Sequence, residues 1–252
     1  MDTLERVRPS RPRWAPGDAP TPAKPGAWRW ILGFVLVCAA VATPLGILGA
    51  QKQKVVLMGD SLTAESSLNT ALFLSPLGYE VQSAALGGSG LLDTKVNWVA
   101  NARALVAQDD PNIVVVEFIG DYGIYGTPPG LVNHSLSFYA DWAKVAQQLE
   151  NVLTSRGATV YWVIGPPVAI PANSAAIAIL DHIYEHLRAP TPSGHPPTIN
   201  VTPALTGGTG KYTEYLPGPN GTPVEVRTPD GTHFTAYGVA LFSRVIAEAI
   251  AH

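Results

Sequence analysis

The order of apolar and polar positions divides the chain into three stretches. Residues 1–29 show neither the 3.6-residue nor the two-residue period that lets an element bury one face, and six prolines interrupt them. They read as a disordered leader. Residues 30–50, WILGFVLVCAAVATPLGILGA, carry no charge, and as a helix rising 1.5 Å per residue they would cover roughly 30 Å, the hydrocarbon thickness of a bilayer. After a short link at 51–54, residues 55–252 alternate β-branched runs with longer helical patterns. Strands are predicted at 55–58, around 79–81, at 112–117, 159–164 and 198–201. Helices are predicted at 62–74, 95–107, 137–154, 174–188 and 236–251. Strand and helix in strict alternation imply a three-layer α/β/α sandwich with about five parallel strands.

Two stretches depart from the alternation. Residues 120–134, GDYGIYGTPPGLVNH, form a loop just beyond the carboxyl end of a central strand, where open α/β sheets bind ligands. Residues 211–227 read as a hairpin turning at Pro219-Asn220-Gly221.

Charge sharpens this division. The whole chain has a formal net charge of −3, too even for a nucleic-acid binder. Residues 1–54 hold eight basic and three acidic side chains, and the remainder holds eight basic and sixteen acidic. Arg6, Arg8, Arg11, Arg13, Lys24 and Arg29 precede the apolar run, and only Lys52 and Lys54 closely follow it. The positive-inside rule then predicts a single-pass anchor at 30–50 with the N-terminus cytoplasmic and the domain at 55–252 extracytoplasmic. Cleavage after the small residues Ala40-Val41-Ala42 is the alternative, and it would secrete the domain. One cysteine rules out an intrachain disulfide framework.

The chemistry lies at two places. Gly59-Asp60-Ser61-Leu62 follows the first strand and puts a serine at a strand-to-helix turn, where helix N–H groups favour developing negative charge. Thr228-Pro229-Asp230-Gly231-Thr232-His233 precedes the last helix, so one loop can carry a carboxylate and an imidazole as partners of that serine. With these two blocks and the glycines Gly87-Gly88-Ser89-Gly90, residues 55–252 resemble the SGNH/GDSL hydrolases, whose fold is flavodoxin-like. The resemblance implies Ser61 as nucleophile, His233 as base and Asp230 as its orienting acid. It also implies an oxyanion hole from the backbone N–H groups of Ser61 and Gly90.

One block departs from the family. Where an asparagine usually donates to the oxyanion, this chain has Asp121, and an ionised carboxylate has no proton to donate. Three outcomes stay open: burial keeps Asp121 protonated and donating, Asp121 turns away while the neighbouring Tyr122 or a backbone N–H substitutes, or the site is catalytically weak. The second is the expectation, and Tyr122 and Tyr125 are the expected substrate contacts. His182-Ile183-Tyr184-Glu185-His186 fits an H-x-x-E-H zinc pattern, but no downstream residue stands out as a third ligand, and it reads as a solvated helix face. No metal or cofactor is expected. The function implied is an exported, membrane-tethered serine esterase acting on O-acyl groups, such as acetyl, of envelope carbohydrate or lipid. The alternatives are an O-acyltransferase with the same triad, working with a membrane acyltransferase partner, or a non-catalytic glycan- or partner-binding module.

Overall fold

A computed structural model describes residues 52–120 and 122–252. The elements run β1 (Gln53–Gly59), α1 (Ser61–Leu74), β2 (Tyr79–Ala85), α2 (Trp98–Asp109), β3 (Ile113–Glu117), α3 (Leu136–Leu153) and β4 (Thr159–Ile164). They continue through α4 (Pro171–Glu185), β5 (Thr198–Asn200), α5 (Thr202–Thr206), β6 (Tyr215–Pro217), β7 (Pro223–Glu225) and α6 (Ala236–Ala251). Strands β1 to β5 form one sheet in the order β2-β1-β3-β4-β5, with every neighbouring pair parallel. β6 and β7 make the expected antiparallel hairpin.

Alternation along the strands sorts side chains to two faces. Val56, Met58, Val114, Val116, Val160 and Trp162 meet Trp98 and Ala102 of α2 and Phe138, Trp142 and Leu149 of α3. Val55, Leu57, Ile113, Val115 and Val163 meet Leu62 and Leu74 of α1 and Val239, Phe242 and Ile246 of α6. This is the three-layer sandwich that the pattern predicts, and all five residues of β3 are buried at its centre.

Two boundaries differ from expectation in ways that matter for the site. β2 continues to Ala85, pairing Gly59 with Ala85 at the carboxyl edge of the sheet. It is an edge strand with much of its length exposed, so its latter half lacks the apolar run that would announce a strand. α4 starts at Pro171, whose fixed φ suits a first helical position, and gives way at His186 rather than continuing to 188. The anchor predicted at 30–50 lies outside the described residues, as does Asp121. Among the described residues no helix is long and apolar enough to cross a membrane.

Candidate active site

The register of the sheet assembles the site. β1 pairs with β2 on one side and β3 on the other, so Gly59 stands opposite both Ala85 and Glu117. The chain then turns into α1 at Ser61. Gly59 is required there because a Cβ would collide with the Glu117 carbonyl oxygen and the Thr63 side chain. Asp60 caps the helix, its Oδ1 accepting the Leu62 N–H at 3.0 Å, while its Oδ2 accepts the Ile119 N–H at 3.1 Å. One buried carboxylate thus ties the serine turn to the loop that follows β3.

Beneath that turn lies a second buried acid that sequence reasoning missed. Glu117 Oε2 accepts the Thr63 hydroxyl at 2.7 Å, and its carboxyl also meets that of Asp60. Burial, followed by the Asp60 charge, pushes Glu117 well above the usual carboxylate range. Burial raises Asp60 as well, against the lowering effect of its hydrogen bonds. Of the two acids, Glu117 is therefore the one that burial favours more strongly in its protonated form. A charged residue closing an otherwise Val/Ile strand was the available signal.

The 228–233 loop delivers the other partners. His233 Nε2 lies 2.8 Å from Ser61 Oγ, and His233 Nδ1 lies 2.7 Å from Asp230 Oδ2. Asp230 Oδ1 accepts from the Thr228 hydroxyl at 2.8 Å, the Thr232 N–H at 2.8 Å and the His233 N–H at 3.0 Å. Partial burial would raise this carboxyl, but those donors and the His233 ring outweigh it and hold Asp230 well below the usual range. With the carboxylate ionised, Nδ1 carries the proton and Nε2 faces the serine as the acceptor.

The loop itself is tightly held. Arg227, almost fully buried, donates to the Thr232 carbonyl at 2.7 Å and the Pro167 carbonyl at 2.9 Å, and its guanidinium lies 4.5 Å over the Phe234 ring. Burial lowers the pKa of Arg227 to about 10, which leaves it charged at neutral pH. Glu65, one helical turn beyond Ser61, accepts the Phe234 N–H at 3.1 Å. Gly231 has φ +72°, and a side chain there would run into Ala169.

The glycine assignment needs correction. The Gly90 N–H donates to Asp93 Oδ2 at 2.8 Å, so it is committed within its own turn and does not serve an oxyanion hole. The glycine beside the nucleophile is Gly87: a Cβ there would lie 3.7 Å from Ser61 Cβ. The reason is register, since Ser61 and Gly87 each lie two residues past the paired Gly59 and Ala85. Gly88 takes a positive φ of 73°, whereas Gly87 does not.

Tyr122 stands with nearly half its surface exposed while its hydroxyl end approaches Gly120. Burial of that end, then the charges of Asp60, Glu117 and Asp230, pushes the phenol further above its ordinary value, so it remains a neutral donor. With Gly120, Asn133, Val168, Ile177 and Thr232 it lines a cavity of about 100 Å³. Tyr125 plays a different part from the one expected. Its hydroxyl donates to the Gly87 carbonyl at 3.3 Å, bracing the glycine turn.

Comparison with known proteins places this geometry in context. Esterase TesA of Pseudomonas aeruginosa is 29% identical over 120 residues, 44% of this chain and 58% of that protein. The match thus spans less than two thirds of that curated relative's length. A carbohydrate esterase family 3 structure from Talaromyces cellulolyticus superposes with a TM-score of 0.53 at 14% identity, covering 79% of this chain and 96% of that one. The periplasmic domain of a lipopolysaccharide acetyltransferase from Salmonella ser. Paratyphi A gives a TM-score of 0.53 at 16% identity, covering 80% of this chain and 84% of that one. The shared feature is the fold, a parallel five-stranded sheet between two helical layers. In sequence, residues 54–249 match the family described as "Protein of unknown function (DUF459)", and the chain belongs to that family.

Proposed function

We propose that this chain is an SGNH-type serine esterase that cleaves O-acyl esters through an acyl-enzyme. The observation that carries the reading is the continuous relay from Ser61 Oγ through His233 to Asp230, with links of 2.8 and 2.7 Å. Ser61 Oγ attacks the ester carbonyl as His233 Nε2 takes its proton. Asp230 stabilises the imidazolium, which then protonates the leaving alkoxide. The Ser61 N–H at the start of α1, the neighbouring Gly87 N–H and the Tyr122 hydroxyl are the proposed donors to the oxyanion. Water delivered by the same histidine releases the acid.

A sugar hydroxyl in place of that water would give O-acyl transfer from the same intermediate. The likeness in fold to the Salmonella acetyltransferase domain favours keeping this second reading. A cavity of about 100 Å³ beside Thr232 suits a short acyl group such as acetyl. Envelope carbohydrate or lipid esters are the proposed substrates. The support is the uncharged run at 30–50 with its basic N-terminal flank, which would tether the domain on the extracytoplasmic side. The intact Ser61, His233 and Asp230 argue against a purely binding role.

The test is hydrolysis of a short-chain aryl ester by the full chain in detergent, beside its Ser61→Ala variant. Turnover that falls by about 10³-fold or more in the variant supports the reading. Equal rates for the two proteins would reject it.

A further inference from the structure

At the opposite end of α4 from its proline start, three potential metal ligands share one exposed face. His182, Glu185 and His186 each offer a ligand atom, and these atoms all lie within 4.8 Å of one another. The i, i+3, i+4 spacing produces this, because residues three and four apart are neighbours on a helix surface. The two imidazoles sit with ring centroids 4.0 Å apart. A tetrahedral zinc bound at about 2.0–2.1 Å needs donor atoms roughly 3.3 Å apart, so exposed side-chain rotations are enough to close the set.

Sequence reasoning set this motif aside for want of a further ligand, and the fold supplies one. The chain leaves α4, turns through 187–194 and returns His195 beside His186, with ring centroids 6.1 Å apart, so that a side-chain rotation is needed to bring it to the other three ligands. The returning loop is held by hydrogen bonds across its ends. Ala189 N–H donates to the Gly194 carbonyl at 2.9 Å, and the Thr191 and Ser193 hydroxyls donate to the His195 carbonyl at 2.6 and 3.0 Å.

The tautomers are also set for metal binding. His186 Nδ1 lies 2.8 Å from the His182 carbonyl oxygen, and His195 Nδ1 lies 2.8 Å from the Leu187 carbonyl oxygen. A carbonyl only accepts, so each Nδ1 carries the proton and each Nε2 is left with its lone pair available. Holding the distal ring N–H on a backbone carbonyl is the usual outer-shell arrangement of a metal-ligating histidine. Two rings from different segments share it here.

We propose that His182, Glu185, His186 and His195 form a structural zinc site that fastens the 187–195 loop to the end of α4. Three imidazole nitrogens and one carboxylate suit Zn²⁺ in preference to the harder Ca²⁺ or Mg²⁺, and four protein ligands close the coordination sphere. The site is separate from the serine relay and requires no part in catalysis.

The experiment uses the untagged full chain in detergent, stripped with a chelator and titrated with Zn²⁺ against a chromophoric zinc indicator. One zinc per chain is expected, with a melting temperature that rises on zinc addition. The double variant His182→Ala, His186→Ala should lose at least about tenfold in affinity, together with the thermal shift. His195→Ala should lose at least about threefold. Without zinc, all these variants should hydrolyse ester like the wild type, because the side chains are exposed and lie outside the serine relay. Absence of zinc binding by the wild type, or unchanged affinity in the double variant, overturns the site. Unchanged affinity in His195→Ala overturns the four-ligand assignment.

Discussion

Two loops at the carboxyl edge of the sheet line a common cavity through Tyr122 and Thr232, and they differ in how their side chains are used. The 228–233 loop is fixed from several sides: Arg227 ties its Thr232 carbonyl to the Pro167 carbonyl of another segment, Glu65 takes the N–H of Phe234 just past it, and Asp230 accepts four hydrogen bonds. The loop after β3 is pinned at its root by Asp60 on Ile119 N–H and by the buried Tyr184 hydroxyl on the Phe118 carbonyl at 2.7 Å, and further on by the Lys95 and Thr94 N–H groups on the Tyr125 and Gly126 carbonyls at 2.9 and 3.0 Å. Beyond Gly120 it exposes Tyr122, Ile124 and Val132. The contrast separates two requirements. Proton transfer needs groups held to a few tenths of an ångström, whereas a substrate-facing wall can vary without disturbing them.

The largest effect should come from breaking the rigid side. Asp230→Asn removes the charge that fixes the imidazole tautomer, and kcat should fall by about 10³–10⁴-fold with little change in KM. Near-normal kcat would mean that the relay does not transfer protons. Next in size is the open side. Tyr122→Phe deletes the proposed oxyanion donor and should cost about 10²-fold in kcat, whereas loss confined to KM would make Tyr122 a substrate contact only. Tyr125→Phe releases the Gly87 carbonyl from its brace and should cost less, about three- to tenfold in kcat. An unchanged rate would show that the glycine turn holds itself.

The smallest effect concerns stability and lies away from both loops. Burial raises the Glu150 carboxyl to about 7, despite the 2.9 Å hydrogen bond from Trp162 Nε1. The folded state therefore binds more protons than the unfolded chain between about pH 4.5 and pH 7, and this group's contribution to stability falls as pH rises through that window. Glu150→Gln keeps an acceptor for Trp162 without the titration. Its melting temperature should decline less than the wild type's between pH 6 and pH 8, and parallel declines would refute the assignment.

How much of this was legible in the sequence follows from which interactions are local. Ser61 and the Asp230–His233 pair could be read because each belongs to a short motif in a recognisable strand–turn–helix context. The layers could be read because β1, β3 and β4 carry dense apolar runs. Gly90 was read in place of Gly87 because Gly87, Gly88 and Gly90 are equivalent as letters, and only the pairing of Gly59 with Ala85 puts Gly87 beside Ser61. Asp60, Glu117 and Glu65 act through partners that lie 59, 54 and 169 residues away in the chain, beyond any local pattern. His195 returns to His186 for the same reason, by a loop path that periodicity does not describe.

The central claim is that Ser61 is a nucleophile made reactive by His233. It is tested most directly by incubating the full chain with a serine-directed phosphonate and locating the adduct by peptide mass spectrometry. The account predicts one adduct per chain, on Ser61, forming at least about 10²-fold more slowly in His233→Ala. A wild-type protein that resists the reagent, or that is labelled elsewhere, would contradict it.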